Sequence, residues 1–417
     1  MNSLVKLYCR TYQLAFRLAM PLLPYREPER FESIESIPPL LERLGLRSVL
    51  LVTDRPLREA GVTGPLEALL ERSGVACTVY DGTRANPTVR NVEEARELYL
   101  AGHCQGLIAF GGGSSMDCAK ALGARLAYPG RSVNQMKGLL RVLRRLPPLI
   151  AIPTTAGTGS EVTVTAVITD TEQKHKYTMN NFSMIPHYAV LDPAVTRTLP
   201  PHLTATTGMD ALTHAVEAYI GGTTTKETRD LALEAVRLIF GNIQAAYRDG
   251  SDLEARGNML RAAHIAGIAF SKSYVGYIHA VAHSLGGQYN TPHGLANAVL
   301  MPLGLELYGP CIHRKLWELG RSAGVVSESD TAEAGAAAFI AAIRGLNRSM
   351  DIPERLPEIR REDIPVMAAH AAREANPLYP VPRLMDRHEL ETLYERAACV
   401  QPAGDAVPCT RTAAAHP

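Results

Sequence analysis

The sequence predicts two parts: an N-terminal α/β nucleotide-binding domain on a parallel, Rossmann-like sheet, then an all-α C-terminal metal-binding domain. Three observations predict it. Short β-rich apolar runs alternate with helical stretches up to about residue 200 and almost vanish beyond it. One of those runs ends in Gly111-Gly112-Gly113. Past residue 200, Asp and His recur at the i, i+4 spacing of one helix face. Strands alternating with helices make a parallel sheet covered on both sides.

Composition sets the outer bounds. Apolar residues are 46% and charged residues 20% of the 417, the balance of a folded globular chain. A net charge of +1 points to no nucleic acid and no acidic partner. The seven cysteines (Cys9, Cys77, Cys104, Cys118, Cys311, Cys399 and Cys409) include no CxxC pair and are odd in number. That argues against a disulfide scaffold or a cysteine zinc site and for a reducing cytoplasm. No apolar run is expected to span a bilayer.

Residues 1–24 read as an amphipathic extension. Lys6, Arg10 and Arg17 interrupt its apolar residues, and no small-residue cleavage site follows, so a signal peptide is excluded. The expectation is a helix closed by Pro21 that packs on its own domain or on a sister subunit. The alternatives are a peripheral membrane contact or docking to a larger assembly.

Residues 25–200 form the expected nucleotide domain. Strands are predicted at 48–53, 76–80, 106–110 and 148–152. After the third come Gly111, Gly112, Gly113 and Ser114, with a helix expected to open at about Ser115 and to run through Asp117. Glycines let the backbone approach phosphates, and the free N–H groups of a helix start point at them. The GxGxxG fingerprint is absent and an ordinary tight turn is the alternative, but three successive glycines and a serine are more than such a turn needs. Residues 153–160 (PTTAGTGS) follow the fourth strand and emerge at the same sheet edge, where α/β sheets bind ligands. Residues 161–169 (EVTVTAVIT) read as a strand with Thr163 and Thr165 on one face and Val162, Val164 and Ala166 on the other. Asp54, ending the first strand, either accepts from an adenosine ribose or caps the helix that starts at Arg55-Pro56, or does both.

A boundary is expected at Leu199-Pro200-Pro201, with helices at 205–220, 228–247, 252–270, 276–286 and 331–347 in a 201–400 domain, and a fraying tail at 401–417. Asp210 and His214 share one helix face; His279 and His283 share another; His293 stands at a turn. One carboxylate and three imidazoles suit Fe²⁺ or Zn²⁺. Burying so many imidazoles among apolar neighbours without a metal is costly.

The motifs GGGSSMD at 111–117, PTTAGTGSE at 153–161, TGMDALTHAVEAY at 207–219 and HAVAHSLGGQYNTPHG at 279–294 resemble those of the iron-containing (type III) alcohol dehydrogenases, over residues 47–394. The resemblance implies that Asp210, His214, His279 and His293 are metal ligands and that His283 lies beside the nicotinamide as a catalytic proton relay. It places Asp54, Asn86, Gly111, Gly112, Gly113, Ser114, Ser115, Asp117, Thr154, Thr158 and Lys176 around the NAD, and Thr155, Thr163 and Val167 join that cofactor set. Two features depart from the family: the extension before Tyr25 is longer, and Thr165 stands where some diol-acting members carry Asn. Thr165, Phe270 and Lys272 are the substrate candidates. Lys272, where Asn is commoner, lies two helical turns before His279, about 10 Å along the axis. The plainer expectation is that it snorkels to solvent or meets the NAD phosphates; the alternative is that it pairs with an anionic group on a short aldehyde.

The implied activity is hydride transfer between the nicotinamide C4 and a primary alcohol or aldehyde held at the metal. The cofactors are Fe²⁺ (with Zn²⁺ as the alternative) and NAD in preference to NADP, in a cytoplasmic homodimer or larger homo-oligomer. The rivals are a zinc polyol dehydrogenase, a dehydroquinate-synthase-like enzyme, and an assembly or encapsulated cargo subunit recruited by the N-terminal helix.

Overall fold

Three of the four apolar runs become strands by burying both faces, and the fourth, at 76–80, becomes a partly buried edge strand. In the computed structural model, which describes residues 1–172 and 175–399, nine strands form: β1 (Glu29–Phe31), β2 (Ser48–Val52), β3 (Ala76–Tyr80), β4 (Gly106–Gly111), β5 (Gly138–Leu139), β6 (Leu149–Pro153), β7 (Thr165–Asp170), β8 (His175–Asn180) and β9 (Tyr188–Val190). Six of them make one sheet in the order β1-β9-β6-β4-β2-β3, parallel throughout. Successive side chains go to opposite faces. Leu50, Val52, Leu107 and Ala109 enter one core, while Val49, Leu51, Ile108 and Phe110 enter the other. The four predicted strands are all present, and β1 and β9, three residues each, are too short to carry a periodic signal.

β5, β8 and β7 form a small second sheet. Here the expected strand over 161–169 is corrected. Ser160–Val162 is a 3₁₀ turn, and the strand starts only at Thr165. Gly159, at φ +60°, turns the chain first, and Thr163 is drawn inward to a buried lysine. Thr163 and Thr165 therefore do not share one strand face.

From Pro201 onward no strand joins a sheet among the described residues. The helices Pro201–Ile220, Lys226–Arg248, Leu253–Ser273, Tyr277–Tyr289 and Ala332–Ser349 answer the five predicted ones. His293–Tyr308, His313–Ser322, Ile364–Ala375 and Arg387–Ala397 were not expected. His293–Tyr308 is apolar nearly all round, so it shows no amphipathic stripe. Against the expectation of none, His293–Ser322 is long and apolar enough to cross a membrane by length and composition. It is interrupted at Gly309–Ile312, and 67% of its most apolar window is buried inside the fold.

The N-terminal helix runs Ser3–Ala19, with Asn2 capping the N–H of Val5 and Pro21 inside the turn that closes it. Cys9 and Gln13 face the body; Leu4, Leu7, Leu14 and Leu18 face outward. The expected tail at 401–417 and Cys409 lie outside the described residues.

Candidate metal centre and nucleotide cleft

The order in which the parallel strands are connected reverses between the neighbours β2 and β4. β2 leads to β3 on one side, and β4 leads to β6 on the other. Such a switch point leaves a crevice at the carboxyl ends of the strands. Three predicted segments meet there: Asp54 after β2, Gly111 to Ser114 after β4, and Thr154 to Ser160 after β6. The Thr154 N–H donates to the Gly111 carbonyl at 3.0 Å. Approach is close enough that a Cβ on Gly113 would stand 2.9 Å from Thr158, and one on Gly111 would stand 2.5 Å from the Ser115 hydroxyl. The helix Gly113–Ala127 opens two residues earlier than expected, behind Gly112, which contributes no side-chain cap. Its first N–H groups are therefore left without a side-chain cap at the carboxyl end of β4, where an anion finds donors. Thr155, half-buried, flanks Gly112.

The side chains of three of the predicted cofactor residues brace the loops. Ser115 is fully buried, its hydroxyl 3.5 Å from Asp54. Asp117 accepts from the Ser160 hydroxyl at 2.9 Å and from the Val167 N–H at 3.0 Å, so Val167 contributes backbone to a brace. Thr163 accepts from Lys120, whose buried ammonium also reaches the Ser160 hydroxyl at 2.9 Å and the Thr163 and Thr165 carbonyls. Burial pushes Lys120 down to about 8. On the other side, Glu161 lies 3.2 Å from His264 Nδ1, and a Cβ on Gly159 would stand 2.8 Å from the Gly267 Cα. The nucleotide loop is thus clamped between the sheet and the helix Leu253–Ser273. Asn86 bridges the two halves, accepting from Lys176 at 2.7 Å and donating to Asn290 at 3.2 Å. Asp54 caps its helix by accepting from the Leu57 N–H at 3.0 Å.

Across the cleft, three helices bring Asp210, His214, His279 and His293 together, with one ligand atom from each lying within 4.8 Å of the others. Asp210 Oδ1 is 3.4 Å from His293 Nε2 and 3.8 Å from His279 Nε2. His214 stacks on His279 with ring centroids 4.4 Å apart. The buried His279 Nε2 has no hydrogen-bond partner, while its Nδ1 lies 2.6 Å from Glu217. Burial holds His279 well below, and His214 below, its ordinary range, and pushes His293 down to about 4. All three imidazoles are therefore neutral near pH 7, with lone pairs available to a cation. One carboxylate and three neutral imidazoles fit a divalent transition metal.

The iron-containing alcohol dehydrogenase family model matches residues 30–193, and the C-terminal model of the same family matches 204–398. The chain belongs to the iron-containing alcohol dehydrogenase family. It is a metal-dependent alcohol or aldehyde oxidoreductase. A curated relative, 1,3-propanediol dehydrogenase of Klebsiella pneumoniae, is 37% identical over 362 residues, covering 85% of this chain and 92% of that one. The solved structure of a 1,3-propanediol oxidoreductase is similar at a TM-score of 0.86 and 35% identity, over 89% of this chain and 99% of that one. Sulfoacetaldehyde reductase from Bifidobacterium kashiwanohense, solved with NAD⁺, is similar at 0.80 and 27%, over 90% and 99%.

The remaining residues of the dehydrogenase fall into place around this centre. His283, one turn after His279, stacks on His293 at 5.2 Å and stays exposed to the cleft. Its Nδ1–H donates to Glu374 at 2.6 Å, and the Tyr379 hydroxyl donates to the same oxygen at 2.6 Å. Burial works against a charged His283, but the Glu374 carboxylate outweighs it and raises the ring. Phe270 stacks on His214 at 4.2 Å, so it packs a ligand face. The Thr165 hydroxyl donates to Asn180 at 2.5 Å. Lys272 is already paired. Its ammonium sits 2.6 Å from Glu227, 3.5 Å from Glu27 and 5.0 Å above the Tyr25 ring. Two carboxylates and a π-face already neutralise it, so it is not the free cation an anionic substrate needs.

Sequence reasoning missed Glu217, Asn297 and Glu374. Glu217 completes the spacing 210, 214, 217 on one helix face, and Asn297 stands one turn after His293. Both were readable from periodicity. The Asn297 amide donates to Asp210 Oδ1 at 2.6 Å. Glu374 is 91 residues from His283 and carried no local signal.

Proposed function

We propose that the dehydrogenase interconverts a short primary alcohol and its aldehyde with NAD(H), holding Fe²⁺ on Asp210, His214, His279 and His293. Zn²⁺ suits the same donors. The observation that carries this reading is the bare Nε2 of buried His279, directed toward Asp210 while its Nδ1 is committed to Glu217. An unsatisfied buried nitrogen costs about 1–3 kcal/mol unless something fills the position.

Bound there, a divalent metal supplies Lewis acidity to the substrate oxygen, and a nicotinamide carries the hydride. The chain's own residues do the positioning. Asn297 orients Asp210, and Glu217 fixes the His279 tautomer that leaves Nε2 free. His283 commits Nδ1 to Glu374, which leaves Nε2 to pass a proton toward solvent. On our reading the 25–200 unit holds NAD. The Gly111 to Ser114 turn, Thr154, Thr155 and Thr158 cradle the diphosphate, and Asn86 and Lys176 close the far side. The charge of Asp54 favours NAD by repelling a 2′-phosphate. The 201–400 unit holds the metal. The likeness to a 1,3-propanediol dehydrogenase and to a reductase solved with NAD⁺ supports a short substrate and this cofactor.

The test is anaerobic. Metal-free protein is reloaded with Fe²⁺ or Zn²⁺ separately, and NADH oxidation is followed over a series of short aldehydes, with His279→Ala alongside. Metal-dependent NADH consumption is expected, with His279→Ala losing metal and rate together. A full metal complement in His279→Ala, by elemental analysis, overturns the ligand assignment.

A further inference from the structure

The family match starts at residue 30, so the helix Ser3–Ala19 is an addition to the matched fold, and the reaction described above gives it no role. Its inner face is more polar and more specifically bonded than packing alone requires. Gln13, 6% exposed, donates its amide to the Tyr379 carbonyl at 2.7 Å. Arg10 secures that amide by donating to Gln13 Oε1 at 2.8 Å, and reaches the Val381 carbonyl at 2.8 Å and the Pro382 carbonyl at 2.9 Å. The N-terminal ammonium pairs with Asp386. Phe16 meets Tyr274 edge-on at 5.3 Å, and Tyr274 lies 5.7 Å from the Tyr379 ring. Tyr274 holds φ +67°, a conformation that a non-glycine residue keeps only when its surroundings impose it.

These contacts converge on Tyr379, directly or through its neighbours. Tyr379 is buried, and its hydroxyl donates to the Glu374 oxygen that also takes the His283 Nδ1–H. Glu374 and His283 are both exposed at the cleft, and an exposed pair of this kind is weakly held by its own attraction. A second donor from a buried, rigid ring removes the freedom of the carboxylate to turn away. The chain then runs Gln13, Tyr379, Glu374, His283.

We propose that the N-terminal helix is a positioning element of the active site: Gln13 and Phe16 hold Tyr379 in place, Tyr379 fixes Glu374, and Glu374 holds the His283 ring in the tautomer with Nδ1 protonated. Gln13, Tyr379 and Glu374 are positioning residues and do not touch the reacting atoms. The inference rests on reading His283 as the proton-passing group beside the nicotinamide.

The test uses full-length, Zn²⁺-loaded protein labelled with ¹⁵N-histidine. Nitrogen shifts report the His283 tautomer, and kcat and KM for NADH are measured on the same samples. Gln13→Leu removes the donor to Tyr379. Tyr379→Phe keeps the ring and removes only the hydroxyl. Leu14→Ser, on the outward face, is the control. Gln13→Leu and Tyr379→Phe should each lower kcat three- to tenfold, leave KM for NADH within twofold, retain the metal, and move the His283 nitrogens away from the Nδ1-protonated pattern. Leu14→Ser should change none of these. An unmoved His283 signal in both inner-face variants overturns the proposal whatever happens to the rate, and so does a wild-type kcat in both. If the wild-type protein turns over no NADH when loaded with either Fe²⁺ or Zn²⁺, the reading of the reaction falls, and the histidine signals of the Zn²⁺ form still decide whether the helix governs His283.

Discussion

Glu217 Oε2 lies 2.6 Å from His279 Nδ1, and the same carboxylate accepts the N–H groups of Gly276 and Ile278 at 2.8 and 2.9 Å. One buried acid on the helix Pro201–Ile220 therefore caps the helix that carries His279 and fixes the ring of that candidate ligand. Burial pushes the Glu217 carboxyl up to about 7, against the pull of these N–H groups. Outer partners of this kind typically govern metal affinity by 10- to 100-fold. Glu217→Gln should weaken Zn²⁺ binding about tenfold or more, measured by chelator competition on the folded protein. Unchanged affinity removes Glu217 from the metal site.

Asp54 caps a helix, and its proposed second duty toward the cofactor can be separated from that by a single substitution. Its carboxylate caps the Leu57 N–H at 3.0 Å, and on the proposed reading its charge repels a 2′-phosphate. Serine caps a helix about as well as aspartate but carries no charge. Asp54→Ser should leave the thermal midpoint within a few degrees and narrow a wild-type preference for NADH over NADPH of about tenfold or more. Equal kcat/KM for the two cofactors in the wild type sinks the role.

Lys120 makes stability depend on pH in a defined direction. Burial pushes its folded-state value down to about 8, from 10.5, with Asp117 and Glu161 pulling the other way. Between those values the unfolded chain holds more protons than the folded one, so stability rises with pH across the window. The slope is at most about 1.4 kcal/mol per pH unit. Urea unfolding of metal-free wild type and Lys120→Met from pH 7.5 to 10 should show wild type gaining on the variant as pH rises. A constant difference rules the account out.

Lys272 is committed to Glu227 and Glu27, so it has no charge to spare for a substrate. Lys272→Asn should change kcat/KM equally for an anionic and a neutral aldehyde of the same length. A loss of about tenfold confined to the anionic aldehyde, about 1.4 kcal/mol of transition-state binding, contradicts this pairing.

Much of the fold was legible because its signals are local. A strand buried on both faces reads as an unbroken apolar run, and 48–53, 106–110 and 148–152 read that way. The helix His293–Tyr308 escaped because a helix buried all round has no stripe to detect. The strand expected at 161–169 failed because a left-handed Gly159 and the pull of Lys120 on Thr163 override the alternation.

By itself the sequence determined the α/β-then-α order and the glycine edge after β4, and it offered Asp210, His214, His279, His283 and His293 as metal candidates, among which only the family resemblance set His283 apart. Helical spacing puts Asp210 with His214 on one face and His279 with His283 on another, and glycine sterics act within a few residues. Tertiary structure alone decided which polar side chains face the cleft. Ser115, Asp117 and Thr163 turn inward, Lys272 turns to two glutamates, and Glu374 reaches His283. A side chain's partner is set by what the folded chain brings within hydrogen-bond reach. For Glu374 and His283 that is 91 residues away, and for Gln13 and Tyr379 it is 366, distances over which no periodicity in the sequence carries information.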